Sequence, residues 1–187
     1  MRKQIQNPLH RAAGLLLLAL ACAGGVQAQE KPRPSKLAVF DMELDDFSAG
    51  GPLAGETPEE TERLKRMSAL ARQLLMESGL FAPVEIGGAM DSRAKDHWLR
   101  KCDGCEAEIA RGLGADLSFL GYFRKISRME QFLEIRVRDA RTGELLHLSN
   151  TDLRNETDES WSRALTYLIK NRLVDPELAR RGLARAN

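Results

Sequence analysis

Leu133, Ile135 and Val137 alternate with Glu134, Arg136 and Arg138. A period of two puts apolar side chains on one face of an extended chain and charges on the other. This run therefore reads as a strand half buried against a core. Asp139 to Glu144 follows as a hairpin turn, with Gly143 free to take positive φ. Leu145 to Leu153 returns as another strand, with Leu146 and Leu148 on one face and His147, Ser149 and Thr151 on the other. Upstream, Leu117 to Phe123 is apolar and aromatic on both faces, as a central strand buried on two sides should be. The three runs predict an antiparallel meander, and everything else in the chain must cover or extend that sheet.

The preceding half supplies a strand–helix–strand order. Lys36 to Leu44 reads as the first strand and runs into Asp41-Met-Glu-Leu-Asp-Asp46. Phe47 to Glu56 is a Gly/Pro/Ser loop. Thr57-Pro58-Glu59-Glu60 combines an N-cap threonine, a proline at the first position and acids in the first turn, so a helix runs from Thr57 to Ser78. Leu80 to Ile86 is a second strand, and Pro83 within it suits a sheet edge. Met90 to Lys101 reads as an exposed helix or loop with Trp98 tucked in. Glu106 to Leu113 is a short helix with Ile109, Ala110 and Leu113 on one face, closed by Gly112 and Gly114. Trp161, Ala164, Leu165, Leu168, Ile169 and Leu173 form the inner stripe of a last helix, Asp158 to Leu173, which Pro176 interrupts.

These elements predict one α/β domain of mixed α+β character. It holds a mixed sheet of about five strands with an antiparallel C-terminal meander, and three main helices pack on it. The expected organisation is a signal peptide over residues 1–28, a linker over 29–35, the α/β domain over 36–174 and a polar tail over 175–187.

The leader rests on Arg2, Lys3 and Arg11 before an apolar run, Ala12 to Ala23, of about a dozen residues, too short for a membrane span of about 20. Val26-Gln27-Ala28 offers the small residues of a cleavage site, so the expected location is the periplasm. Lipoprotein anchoring through Cys22 is the lesser alternative, because Ala19-Leu20-Ala21 fits a lipobox poorly. Cleavage leaves 25 basic and 27 acidic residues, a net charge of −2. That balance argues against a nucleic-acid partner, which needs a clustered basic surface. No further apolar run is long enough to span a membrane.

Chemistry-bearing patterns are few. Cys102 and Cys105 are the cysteines left after cleavage, and in an exported protein they can pair with each other. They stand at a helix start, where a thiol pKa falls, so a redox role stays open beside a structural disulfide. Glu106 follows where a haem c motif would need histidine. Metal binding has only weak candidates. His97 and His147 are the histidines that would have to complete a cysteine site. Asp41, Glu43 and Asp45 share a strand face, with Asp46 on the other. They read either as ligands of a hard cation or, better, as a solvated strand end that blocks edge pairing. No phosphate loop, nucleophile elbow or zinc-protease motif is present, so no catalytic residue is nominated and no cofactor is implied.

Leu37-Ala-Val-Phe-Asp41, Cys102-Asp-Gly-Cys-Glu106 with Ile109-Ala-Arg111, Leu113-Gly-Ala-Asp116 and Asn155-Glu-Thr-Asp-Glu-Ser-Trp161 resemble a bacterial family of exported proteins of unknown function. It is of the domain-of-unknown-function 3280/2380 type, and the resemblance covers nearly all of the mature chain. Ala38 to Asp41, Gly114 to Asp116 and Thr142 to Glu144 are more loosely similar to the TolB N-terminal, CsgG and LpoB domains. That resemblance implies work by binding envelope partners rather than by catalysis. The first functional expectation is therefore a periplasmic accessory protein that docks on an envelope protein, with the sheet edge at Leu80–Ile86 as a place for a partner strand. The alternative is a thiol-disulfide redox or metal-handling protein using Cys102 and Cys105. A third reading is a small-molecule site under the Phe47–Glu56 loop.

Overall fold

The structure is a computed structural model that describes residues 33–87 and 98–183. The leader with Cys22, most of the linker, Gly88 to His97 and the last four residues lie outside the described residues, and with them the candidate ligand His97.

The sheet is mixed, as expected. Its strands are β1 (Ser35–Val39), β2 (Glu43–Asp46), β3 (Phe81–Val84), β4 (Leu117–Lys125), β5 (Gln131–Asp139) and β6 (Leu145–Leu153). The order is β3-β1-β4-β5-β6, with β2 also on β4. β3, β1, β2 and β4 run parallel, and β4, β5 and β6 form the antiparallel meander. Pro83 does stand in a terminal strand: β3 pairs with β1 alone among the described residues.

The run expected as one first strand is broken into β1 and β2. Both lie along the same edge of β4, and four steps from Val39 to Glu43 match three from Phe119 to Tyr122. The extra residue is a bulge, and it swaps the faces of everything beyond it. Leu37 and Val39 face the larger core before the bulge, and Met42 and Leu44 face it after. Gly121 of β4 makes room, since a Cβ there would lie 2.6 Å from Met42 Sδ. The six strands thus occupy the space of five.

The larger core lies between one sheet face and two long helical segments. The first is α2 (Pro58–Glu77), preceded by the single turn α1 (Gly51–Ala54). Thr57 caps it as expected: its Oγ1 accepts from the Glu60 N–H, and the Glu60 carboxylate accepts from the Thr57 N–H. The second segment is α4 (Asp158–Tyr167), continued by a π-helical stretch, Leu168–Val174, and by α5 (Asp175–Arg180). Pro176 does not interrupt the run. It sits at the start of α5, directly after the π-helical stretch, and the residues expected as a polar tail bury Leu178.

The smaller core lies on the other face. There α3 (Cys105–Gly112) presses Ile109 and Ala110 towards Ala38, Phe40 and Leu120. α3 lies against β4, and the outer strand β6 is open on that side. Leu146 and Leu148 are 52% and 50% exposed, and Ser149 and Leu153 are the strand's buried residues. The polar-looking side of β6 is thus the one turned to the core.

Candidate functional site

Two places bring chemistry-bearing side chains together. The first is the start of α3. Gly104 takes φ 102°, which reverses the chain between Cys102 and the helix. The reversal joins Cys102 and Cys105 as a disulfide. Glu106, the next residue, is 1% exposed. Its Oε1 accepts a 2.9 Å bond from Arg138 Nε, while its Oε2 has no hydrogen-bond partner. Arg138 also donates from Nη2 to Asp103 Oδ1 at 2.7 Å and from Nη1 to the Gly143 carbonyl at 3.0 Å. One guanidinium therefore holds the cysteine loop, the buried carboxylate and the β5–β6 turn together. A carboxylate oxygen of Glu106 and both Sγ atoms lie within 4.8 Å of one another.

Sequence reasoning passed over Glu106 because it was weighed only against a missing histidine. The available signal was the short period of the α3 stripe: a residue three before Ile109 shares the buried face, so a carboxylate there needs a partner. That the partner is Arg138, on a strand read as solvent-facing at that position, follows only from long-range packing.

The second place is a cleft of about 630 Å³ between the Asp41–Phe47 segment, the 51–56 turn, α2 and Trp98 to Lys101. It lies where a small-molecule site was expected, under the Phe47–Glu56 loop. Of the four carboxylates of the segment, Asp41 is exposed and Glu43, Asp45 and Asp46 are partly or fully buried. β2 is a paired strand, and each carboxylate faces a cation of the chain. Asp41 meets Arg72 of α2, and Asp46 meets Lys125 at 3.6 Å. Glu43 accepts the Leu99 and Arg100 N–H groups at 2.8 and 3.2 Å and Arg100 Nη1 at 2.9 Å. Asp45, buried, lies 3.2 Å from Arg100 Nε and 3.3 Å from Arg124 Nε. The bulge explains why Asp41 does not share a face with Glu43 and Asp45, as strict alternation requires.

Trp98 is not tucked in. It takes φ 39°, is 56% exposed and forms one wall of the cleft, with Lys101 Nζ 4.1 Å from its ring centroid. His147 lies far along the chain on β6, where its Nε2 meets Ser149 Oγ at 2.9 Å. Burial and the nearby Arg172 charge push its pKa below 6.5.

The sequence profile of a family described as "Protein of unknown function (DUF2380)" matches residues 35–173. The chain belongs to this family, DUF3280. Every element from β1 to the end of the π-helical stretch falls within the match, apart from its last residue, Val174. A search of curated proteins returned no significant match. Among solved structures, this DUF3280 member is similar to the LpoB C-terminal domain from Salmonella enterica, at 19% identity over 69% of this chain and 89% of that one, with a TM-score of 0.44. It is similar to a PelC dodecamer from Paraburkholderia phytofirmans at 13% identity, over 74% and 88%, with a TM-score of 0.45. A lipoprotein from Neisseria meningitidis matches at 13% identity, over 79% and 99%, with a TM-score of 0.44.

Proposed function

We infer that this is an exported accessory protein of the cell envelope that works by binding a protein partner. The observation that carries the reading is the outer face of β6. Three leucines, Leu145, Leu146 and Leu148, stand exposed on a terminal strand of nine residues. Exposed apolar side chains on a strand whose outer edge is unpaired among the described residues are what strand addition uses: the backbone supplies affinity and the side chains supply specificity. β6 replaces the Leu80–Ile86 edge as the docking strand, because β3 is only four residues long and carries Pro83. The basic, apolar and small-residue order of residues 1–28 supports export, and the Cys102–Cys105 disulfide suits an oxidising compartment. No helix among the described residues is long and apolar enough to cross a membrane.

The test combines location and contact. Cell fractionation and intact mass should find the chain outside the cytoplasm, processed after Ala28. A photo-crosslinking residue at Leu148 should capture one envelope protein that the same residue at Met76, exposed on α2, does not, and Leu146→Arg should abolish the capture. A cytoplasmic chain with residues 1–28 attached, or equal crosslinking from both positions, overturns the reading.

The buried Glu106 beside the cysteines favours a second reading, thiol chemistry at Cys102–Cys105. Equilibration in graded glutathione buffers separates the two. A disulfide that stays closed below about −300 mV is a structural clip, and one that opens near the potentials of oxidoreductases is functional.

A further inference from the structure

We propose that the reduced Cys102–Cys105 pair and Glu106 form a three-ligand site for a thiophilic divalent cation of the zinc class. The proposal develops the thiol reading above and does not depend on the docking role of β6.

Geometry comes first. Both sulfurs and a Glu106 oxygen already lie within 4.8 Å of one another, so drawing them onto one ion requires closing gaps rather than rebuilding the fold. Thiolates and a carboxylate are ligand types that zinc accepts, and three protein ligands leave a position for water. The cysteines are half-buried, which gives the ion a way in.

The orphaned oxygen is the second observation. A buried carboxylate oxygen with no donor among the described residues is costly, and a bound ion is one thing that satisfies such a group. Arg138 already holds the other oxygen, as a neighbouring hydrogen-bond partner orients a metal ligand.

Charge closes the argument. In the disulfide state Asp103 and Glu106 share the one Arg138 guanidinium. Reduction and deprotonation add two negative charges at the start of α3, and one dication offsets those two. The chemistry balances: a dithiol or phosphine reductant gives two electrons to the S–S bond, both sulfurs take up protons, and the ion displaces those two protons to solvent as the S–metal bonds form. The disulfide thus excludes the ion and reduction admits it.

The experiment uses the purified protein, reduced with a phosphine, freed of reductant under argon and titrated with Co2+, then with Zn2+. A thiolate-to-cobalt charge-transfer band should appear and saturate at a 1:1 ratio, and Zn2+ should erase it. The oxidised protein should show no band. Cys105→Ser, which leaves the Glu106–Arg138 pair in place, should lose it. Glu106→Gln should keep the thiolate band and bind about tenfold or more weakly. The proposal is overturned if the reduced protein binds no better than Cys105→Ser, if Glu106→Gln binds as tightly as the parent, or if the phosphine leaves the disulfide closed in the folded chain.

Discussion

At the scale of single residues, Trp161 is the largest fully buried side chain of the larger core. It is fully buried, its ring stacks on Phe123 with centroids 3.7 Å apart, and its Nε1 donates to Gln131 Oε1 at 2.9 Å. Arg63 lies 5.1 Å over the same ring and ties α2 to α4 through Asp158. Trp161→Ala should lose about 3–5 kcal/mol of unfolding free energy in a denaturant titration. Trp161→Phe keeps the stacking but strands the buried Gln131 oxygen, so it should still lose about 1–3 kcal/mol. The stripe containing Trp161 was legible from its 3.6-residue spacing. The Gln131 partner was not, because a hydrogen bond across thirty residues leaves no local trace. For Glu106 the stripe of α3 carried the signal of burial, but its partner Arg138, 32 residues away, left none.

At the scale of elements, the bulge between β1 and β2 decides where the acidic segment points. Alternation within a strand was readable, but the extra residue was not, since it depends on Gly121, in a strand distant in sequence, accepting the Met42 side chain. The two sites should be coupled. Gly121→Ala should lose about 1–3 kcal/mol by overpacking against Met42, and the double variant with Met42→Ala should lose less than the two single losses added together. The β6 strand was readable as a strand but its facing was not, because Leu146 and Leu148 turn outward while Ser149 faces the core. His147 gives that arrangement a pH signature. Its folded pKa lies below the ordinary 6.5, so its contribution to stability is full above pH 6.5 and is lost as pH falls through the folded value. Melting temperatures should decline from pH 7 towards pH 5, and His147→Gln should remove that part of the decline.

At the scale of the whole molecule, ion pairs join the helices to the sheet and to each other. Burial alone would raise Glu60, but bonds from Lys125 and the Thr57 N–H outweigh it and hold its carboxyl below 4.5. Asp158 is held below 3.8 chiefly by the bond from Arg63, which burial opposes and the bond from Arg66 supports. Both carboxylates therefore stabilise the fold fully above their ordinary values and lose that contribution as pH falls through the lowered ones. Acid unfolding should steepen below about pH 4.5, and Glu60→Gln should soften the step, as read by circular dichroism. The disulfide closes a loop with a sequence separation of 3, so removing it should cost on the order of 2 kcal/mol, well short of global unfolding. Arg138, however, grips Asp103 within that small loop and the Gly143 carbonyl with the same guanidinium. Opening the loop slackens one end of this grip, and the hairpin turn at the other end breathes more freely. Amide hydrogen exchange from Ala140 to Glu144 is then a gauge of two sulfur atoms, read at the far end of one guanidinium.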